Sequence, residues 1–269
     1  MKIRNTINYL LVLAFISTLF AGCAKDGATG PAGANGATGP TGPSGTYASG
    51  NLMGYVKTYD QYGSIIETNM AGISVSLTNG STVTTTTDAT GKYVFDSIST
   101  GYYSLNFSDA SFGANQVSSF QFLGGATVWR PNTTITQIPN YSVSGLSFID
   151  TVVNLTDSTI EINGSIGTSD ANVRTAIVFV GSAVGTNSAP VNYQTYYTAN
   201  IKAAQSTFKI LIPLSDLYDI GYYPGQTIYF ASYGISSPLT ASAYEDFTTG
   251  RTVFTAISPN VFSSNHTIL

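Results

Sequence analysis

The sequence contains one cysteine and one histidine among its 269 residues. A single cysteine cannot form an intramolecular disulfide. One cysteine and one histidine together are also too few to form the common zinc sites. Cys23 and His266 also lie at opposite ends of the chain, so neither supports a nucleophile–base pair. We therefore predict that the protein is not an enzyme and that it holds no cofactor and no metal.

Charged residues are also scarce. They make up 9% of the chain, against about 25% in an average soluble protein. The formal net charge is −4 and there is no run of basic residues, which argues against nucleic acid as a partner. Apolar residues reach 43%, which is enough for packed cores.

The acidic residues form no recognisable catalytic or calcium-binding pattern. Glu245 and Asp246 are the only adjacent acids, and neighbours on a strand point to opposite faces. Asp60, Asp88, Asp96 and Asp109 lie in separate predicted turns without calcium-loop spacing. We interpret them as turn-forming residues.

Residues 1–22 follow the plan of an export signal. A positive start, an apolar run too short for a membrane-spanning helix and two small residues precede the cysteine: Lys2, Arg4, Leu10–Phe20, Ala21, Gly22. This arrangement resembles the lipobox of bacterial lipoproteins, with Phe20 where leucine is usual. The resemblance implies cleavage before Cys23 and attachment of lipid to that residue, which would hold the protein on a membrane.

The residues after the cysteine bear on sorting. Ala24 and Lys25 differ from the inner-membrane retention signal of this family, which places aspartate next to the cysteine. The resemblance therefore implies an outer-membrane lipoprotein, either facing the periplasm or exposed on the cell surface.

Within the predicted segment 23–49, glycine recurs at every third position. The repeat comprises Gly27, Gly30, Gly33, Gly36, Gly39, Gly42 and Gly45, with proline in the X position of three triplets. This period resembles collagen, in which only glycine fits the crowded axis of the triple helix. Two interpretations stay open: a monomeric extended spacer of roughly 55 Å, or a stalk that forms a homotrimer.

Residues 50–140 alternate between apolar and polar positions and are punctuated by turn signals such as Asn79-Gly80. No window shows helical periodicity, so we predict an antiparallel β-sandwich. Gly91 supplies a positive-φ turn position, Asp88 caps the turn, and Tyr93 and Phe95 enter the core. The run TDATGKYVF, followed by STGYYSL, resembles the carboxypeptidase regulatory-like domain. That resemblance implies a transthyretin-like sandwich without catalytic residues.

Residues 141–269 contain seven further predicted strands, and we predict a second β-sandwich. The segment around Leu214, Leu217 and Tyr223 resembles a fibronectin type III or immunoglobulin-like module. The fold class predicted for the whole chain is therefore all-β, with two antiparallel sandwich domains after a signal peptide and an extended stalk.

Three aromatic residues are candidate ligand contacts: Trp129, Tyr222 and Tyr223. For Trp129, the only tryptophan, a buried or inter-domain position is favoured. Tyr222 and Tyr223 belong to a larger set of tyrosines that either fills sheet positions or forms a carbohydrate platform.

Three short segments, each beginning with Asp followed by Ser or Thr and an apolar or β-branched residue, resemble a bacterial O-glycosylation signal. They make Ser97, Thr151 and Ser158 candidate modification sites. Intact mass of the exported protein would test this.

The leading functional prediction is a non-catalytic envelope protein with a structural, adhesive or ligand-presenting role and a protein or glycan as ligand. One alternative is a glycan-binding accessory protein of a carbohydrate-uptake system, which predicts exposed coplanar aromatic rings. A second alternative is a hydrolase with an unrecognised acid pair in a cleft.

Overall fold

The computed structural model describes residues 27, 29–34, 36, 48–130, 132–154 and 157–269, and of Thr240 only the backbone. The protein is nearly all β, with 52% of residues in strands and 4% in helix. Thr46–Leu269 forms one compact unit. Within the described ranges, no helix has the length and apolarity needed to span a membrane.

The described part of the N-terminal unit consists of glycine-repeat residues. Gly27, Gly30, Gly33 and Gly36 are exposed and lie outside helices and strands. A Cβ atom added at any of them would meet nothing within 4 Å. Gly39, Gly42 and Gly45 lie outside the described residues, as does Cys23.

The first module contains nine strands. They are β1 Ser49–Tyr59, β2 Ile65–Ile66, β3 Ser74–Asn79, β4 Ser81–Thr86, β5 Lys92–Ser99, β6 Gly101–Asp109, β7 Phe112–Phe122, β8 Val128–Trp129 and β9 Thr133–Thr136.

These strands form two sheets. One sheet is antiparallel, with the strand order β4-β3-β6-β7. In the other sheet, β1 pairs with β2 and with β5 in antiparallel orientation. Strands β8 and β9 also pair with β1, but in parallel, because the chain crosses over after β7 and returns along β1. Leu52, Val56, Val75 and Phe107 are among the buried residues of the core of this module. The predicted sandwich is present, with these two parallel pairings in addition.

Local turn chemistry in this module follows the sequence. The Asp88 carboxylate accepts hydrogen bonds from the backbone N–H groups of Thr90 and Lys92, at 2.8 and 3.0 Å. Gly91 has φ +79, and a Cβ there would lie 2.3 Å from the Val56 carbonyl oxygen. These contacts confirm the interpretation of Asp88 as a turn former and Gly91 as a positive-φ residue.

The second module contains nine strands and two short helices. They are β10 Gly145–Thr151, β11 Thr159–Ser165, β12 Arg174–Gly181, β13 Thr195–Ile201, β14 Thr207–Pro213, α1 Leu214–Asp219, β15 Thr227–Ile235, the 3₁₀ helix Leu239–Ser242, β16 Ala243–Asp246, β17 Arg251–Phe254 and β18 Phe262–Thr267.

This module has three layers rather than two. The sheets β10-β11-β14 and β13-β12-β15-β18 enclose the main core. The other face of the four-stranded sheet is covered as well, because Ile177, Phe179 and Tyr233 pack with Phe254 of the hairpin β16–β17. Every residue of β12 is consequently buried.

Two elements of this region are absent from the sequence prediction. Helix α1 is one, because six residues with one Leu214–Leu217 pair are too short to show a helical period. Strand β18 is the other. The hydroxyl-rich stretch Phe262–Thr267 has no strong apolar alternation, yet it pairs with β15 at the edge of the sheet.

Hydrogen bonds connect the two modules. Tyr62 donates its hydroxyl to Asp170 at 2.8 Å, and the Thr136 N–H donates to Ser242 Oγ at 2.6 Å. Gly113 lies against the chain at Ala256, where an added Cβ would be 2.4 Å from the backbone nitrogen. The predicted boundary at Pro139–Asn140 falls between β9 and β10, and the division into two domains stays a prediction.

Candidate functional site

The outer face of the sheet around β1 carries an aromatic platform, defined here as Trp129, Tyr55, Met53, Val94 and Lys92. The Trp129 and Tyr55 rings are 5.7 Å apart between centroids and inclined by only 13°. The Lys92 ammonium lies 5.6 Å from the centroid of the Trp129 ring. Trp129 is 54% exposed, so about half of its side chain is accessible to solvent.

Strand pairing places the residues of this platform on one face of the sheet. Met53 of β1 lies opposite Val94 of β5 on one side and Trp129 of β8 on the other. Two residues along β1, on the same face, Tyr55 lies opposite Lys92. The Arg130 backbone N–H donates to the Met53 carbonyl at 2.8 Å, which continues the pairing of β8 beyond Trp129.

The interpretation of Trp129 as buried is wrong. The preference for burial of a lone tryptophan assumes that its strand faces the core, but the register of β8 turns Val128 inward and Trp129 outward. The parallel pairing with β1 that sets this register joins residues more than 70 positions apart, and no local pattern encodes it.

Tyr222 and Tyr223 point in different directions. Tyr222 is 5% exposed and belongs to the core, whereas Tyr223 is 55% exposed. Tyr223 stacks on Tyr218 of α1, with centroids 5.8 Å apart and an inclination of 11°. The second module therefore also presents a nearly parallel aromatic pair.

A polar groove runs beside Tyr222. Two adjoining cavities of about 260 and 330 Å³ share Ser182 and Gln194 in their walls. The first also contains Asn192 and Arg251, and the second contains Gln226. The Tyr222 hydroxyl donates to Gln194 Oε1, and Gln226 Oε1 accepts from the Tyr223 N–H at 2.8 Å. We call this feature the Arg251 groove.

Burial controls the acidity of the Tyr222 hydroxyl. Desolvation raises its pKa to about 12, while Ser182 and Arg251 act in the opposite direction. The phenol is therefore neutral across the physiological range and acts in the groove as a hydrogen-bonding group.

Three further tyrosines of the second module pack against aromatic neighbours. Tyr193 and Tyr233 are 2% and 6% exposed and pack on Phe179. Tyr196 is 38% exposed and contacts Phe254 edge-on. The interpretation that tyrosine fills sheet positions is confirmed for Tyr196 and Tyr233, whereas the buried Tyr193 precedes β13.

His266 is not isolated in a terminal segment. Its Nε2 lies 2.7 Å from Asp150 Oδ1, and its ring stacks on Phe148 at 5.0 Å. The pair joins β18 of one sheet to β10 of the other, across the open edge of the second module. Nothing in the sequence pattern links these two residues, which are 116 positions apart.

The acids form no metal-binding group in the part of the chain that the structure describes. The Asp246 carboxylate accepts hydrogen bonds from the Thr248 N–H and the Thr249 hydroxyl, at 3.0 and 2.8 Å, and so belongs to the turn of the hairpin. Its neighbour Glu245 is exposed on the same strand.

The three candidate glycosylation residues differ in access. Ser97 and Thr151 are exposed. Ser158 is 3% exposed, and its hydroxyl accepts a hydrogen bond from the Val153 N–H at 2.9 Å and donates to the Asn154 carbonyl. Modification stays a prediction for all three, and at Ser158 it would require the turn to open.

The sequence of the first module also matches a known family model. Residues 63–136 match the carboxypeptidase regulatory-like domain. The match spans β2 to β9 and includes the Asp88–Gly91 turn and Trp129. The domain is a non-enzymatic β-domain, as the resemblance of this region implied. No curated protein matches the chain.

Several solved structures align over most of the chain at low identity. A proposed carbohydrate-binding protein from Bacteroides uniformis is 16% identical over 80% of this chain and 99% of its own, with a TM-score of 0.27. A DUF3823 family protein from Parabacteroides merdae is 10% identical over 79% and 98%, with a TM-score of 0.26. The major pilin SpaD of Corynebacterium diphtheriae is 13% identical over 80% and 65%, with a TM-score of 0.27. TM-scores this low identify neither a fold family nor a ligand.

Proposed function

We propose that this protein is a non-catalytic, lipid-anchored envelope protein whose aromatic platform binds carbohydrate. The observation that carries the proposal is the exposed Trp129 ring on the outer sheet face, stacked on Tyr55 and close to the Lys92 ammonium. The glycan-binding alternative predicts exposed aromatic rings, and the exposed Trp129 ring meets that expectation, although it is stacked on Tyr55 rather than coplanar with it. We therefore take a glycan as the presented ligand.

The geometry suits a pyranose ring. One face of such a ring presents C–H groups, which pack on the negative face of an aromatic ring, while its hydroxyls need hydrogen-bonding partners at the rim. The stacked Trp129 and Tyr55 rings supply aromatic surface, and the Lys92 ammonium, which lies over the Trp129 ring, supplies three donors. Because strands on both sides hold the platform, little side-chain freedom is lost on binding.

Exposure of Trp129 is itself informative. A tryptophan that leaves 54% of its surface in water gives up much of the stabilisation that burial would provide. Large exposed apolar groups of this kind often mark sites of interaction. Met53 and Val94 extend the apolar surface beside it and are partly exposed.

The anchor and the stalk belong to the same proposal. The lipobox-like segment supports lipid on Cys23, and the residues after it support an outer-membrane location. The glycine repeat from Gly27 to Gly45 would then act as a spacer between the membrane and the two modules. Labelling with an alkyne fatty acid tests the anchor: the wild type should incorporate label and Cys23→Ser should not. Cross-linking of intact cells would separate a monomeric spacer from a trimeric stalk.

A binding screen tests the platform. The full chain with Cys23→Ser would be applied to a glycan array and to a panel of matrix proteins. We expect binding to one or more glycans that Trp129→Ala weakens at least tenfold. The matched control is Phe247→Ala, which removes another exposed ring, 77% accessible, outside the platform. Binding to matrix proteins alone, or equal effects of the two variants, would refute the proposal.

A further inference from the structure

We infer that the Arg251 groove binds a carboxylate-bearing sugar, a uronic acid residue of an acidic polysaccharide, at a second site on the other module. The inference rests on the proposed function only in taking the ligand to be a glycan. It does not involve the aromatic platform, which belongs to the first module.

The Arg251 guanidinium has hydrogen-bond donors that no described residue uses. One of its five N–H groups is used by Nη1, which donates to the Pro190 carbonyl at 2.7 Å. The ion pairs within the described ranges are Lys209–Glu161 and His266–Asp150, so Arg251 has no carboxylate partner there. Asp246 lies opposite Arg251 in the hairpin register, but its carboxylate is turned into the hairpin turn. The rest of the guanidinium is therefore available to a ligand.

The other two arginines of the described modules also have an Nε without a hydrogen-bond partner, but that atom is buried and out of reach of a ligand. Arg174 is buried, and its guanidinium donates to the carbonyls of Ile166, Thr168 and Gln205. The Arg130 guanidinium carbon lies over the Phe120 ring, 4.2 Å from its centroid. Arg251 instead lines a cavity of about 260 Å³, supported from one side by Tyr193 at 5.7 Å. A planar guanidinium with free donors is well suited to bind a carboxylate through two parallel hydrogen bonds.

The other groups of the groove favour a sugar over a peptide. Ser182, Asn192 and Gln194 offer hydroxyl and amide groups that match sugar hydroxyls. The apolar side chains of this wall, Val184 and Val191, are 84% and 71% exposed and form no pocket for a peptide side chain. At the far end, Gln226 connects the groove to the exposed Tyr223 ring, on which a neighbouring sugar could stack.

The test measures how tightly the full chain with Cys23→Ser binds an acidic oligosaccharide and the neutral ester of the same oligosaccharide. We expect oligogalacturonate to bind and its fully methyl-esterified form to bind at least tenfold more weakly. Arg251→Gln should lower the affinity for oligogalacturonate at least tenfold. Arg251→Lys should lower the affinity by a smaller factor, because lysine keeps the positive charge but lacks the planar guanidinium that forms two parallel hydrogen bonds. Lys202→Gln removes an equal charge from another exposed loop and should leave the affinity unchanged.

Three results would overturn the inference: equal binding of acid and ester by the wild type, equal effects of Arg251→Gln and Lys202→Gln, or selective binding of peptides with a free rather than an amidated C-terminal carboxylate. The acid–ester comparison needs no substitution, so a folding defect in a variant cannot mask the answer. Trp129→Ala should retain oligogalacturonate binding. Failure of the platform and failure of the groove are therefore distinguishable.

Discussion

The His266 imidazole lies 2.7 Å from the Asp150 carboxylate and closes the open edge of the second module. The Asp150 side chain is only 3% exposed, and its second oxygen accepts a hydrogen bond from the Leu269 N–H at 3.2 Å. Two sheets and the last residues of the chain are thus joined at one carboxylate. The contact explains how β18, a strand with few apolar residues, is held at its edge position.

Removal of the imidazole should destabilise this module. We expect His266→Ala to lower the free energy of unfolding by about 1–3 kcal/mol, because Asp150 loses a partner while it stays buried. Urea unfolding measures the change, and Asn265→Ala, at the outward-facing neighbour on β18, serves as control. A double-mutant cycle with Asp150→Asn should give a coupling energy above about 0.5 kcal/mol. Additive effects of the two substitutions would contradict the contact.

Replacement of Gly164 should destabilise the protein for a steric reason. A Cβ on Gly164 would lie 2.1 Å from the Phe208 ring, which crosses over it from β14. We expect Gly164→Ala to destabilise the protein by roughly 1–3 kcal/mol, as overpacking does in other cores. Gly145→Ala on the neighbouring strand is the matched control, since its nearest atom would be the Ser165 hydroxyl at 3.6 Å. A larger loss at Gly145 than at Gly164 in thermal unfolding would refute this packing.

A methyl group added at Gly113 should loosen the contact between the two modules. Gly113→Ala would place its Cβ 2.4 Å from the backbone nitrogen of Ala256, and backbone there cannot move without disturbing β17 and the adjoining loop. We expect faster amide exchange in Leu239–Phe254, with β10–β11 unchanged. Hydrogen exchange with mass spectrometry measures both regions. Unchanged exchange in Leu239–Phe254 would show that this contact does not hold the modules together.

Buried tyrosines should make the protein sensitive to alkali. Burial raises the pKa of Tyr93 and of Tyr141 to about 12, whereas an unfolded tyrosine ionises near pH 10. Between these values the folded state holds more protons, so the free energy of unfolding falls as pH rises and is unaffected below pH 10. Each shift corresponds to at most roughly 3 kcal/mol. Urea midpoints from pH 9 to pH 11.5 measure the slope.

Two substitutions separate these tyrosines. The Tyr141 hydroxyl donates to the Ile235 carbonyl at 2.7 Å and accepts from the Thr175 N–H at 3.2 Å, so Tyr141→Phe should cost about 1–2 kcal/mol. The Tyr93 hydroxyl is buried without a partner among the described residues, so Tyr93→Phe should be neutral or stabilising at pH 7. Both variants should show a shallower alkaline slope. An unchanged slope in both would contradict the assignment.

Local chemistry made much of the fold predictable. The Asp88 cap, the positive φ of Gly91 and the Asn79-Gly80 turn depend on residues within four positions of one another. The alternation of Val75 and Leu77 with serine depends on the side-chain period of a strand. For these features, the conformational preference and the burial pattern agree, so the sequence alone identifies the strands.

The candidate sites depend on contacts that local patterns do not contain. The platform needs β8 to pair with β1 in parallel, and the groove combines residues near 182, 194, 226 and 251. The lone tryptophan and the Tyr222-Tyr223 pair could be singled out from the sequence, but their exposure could not. Exposure follows from register, and register is set by pairing between distant strands.

The fluorescence of Trp129 gives the most direct test of the central claim. Because it is the only tryptophan in the chain, its emission reports on the platform alone. A glycan identified by the array should produce a saturable change in this emission and reduce quenching by acrylamide, with the same dissociation constant as calorimetry gives. Binding that calorimetry detects while Trp129 emission and quenching stay unchanged would place the glycan elsewhere and contradict the account.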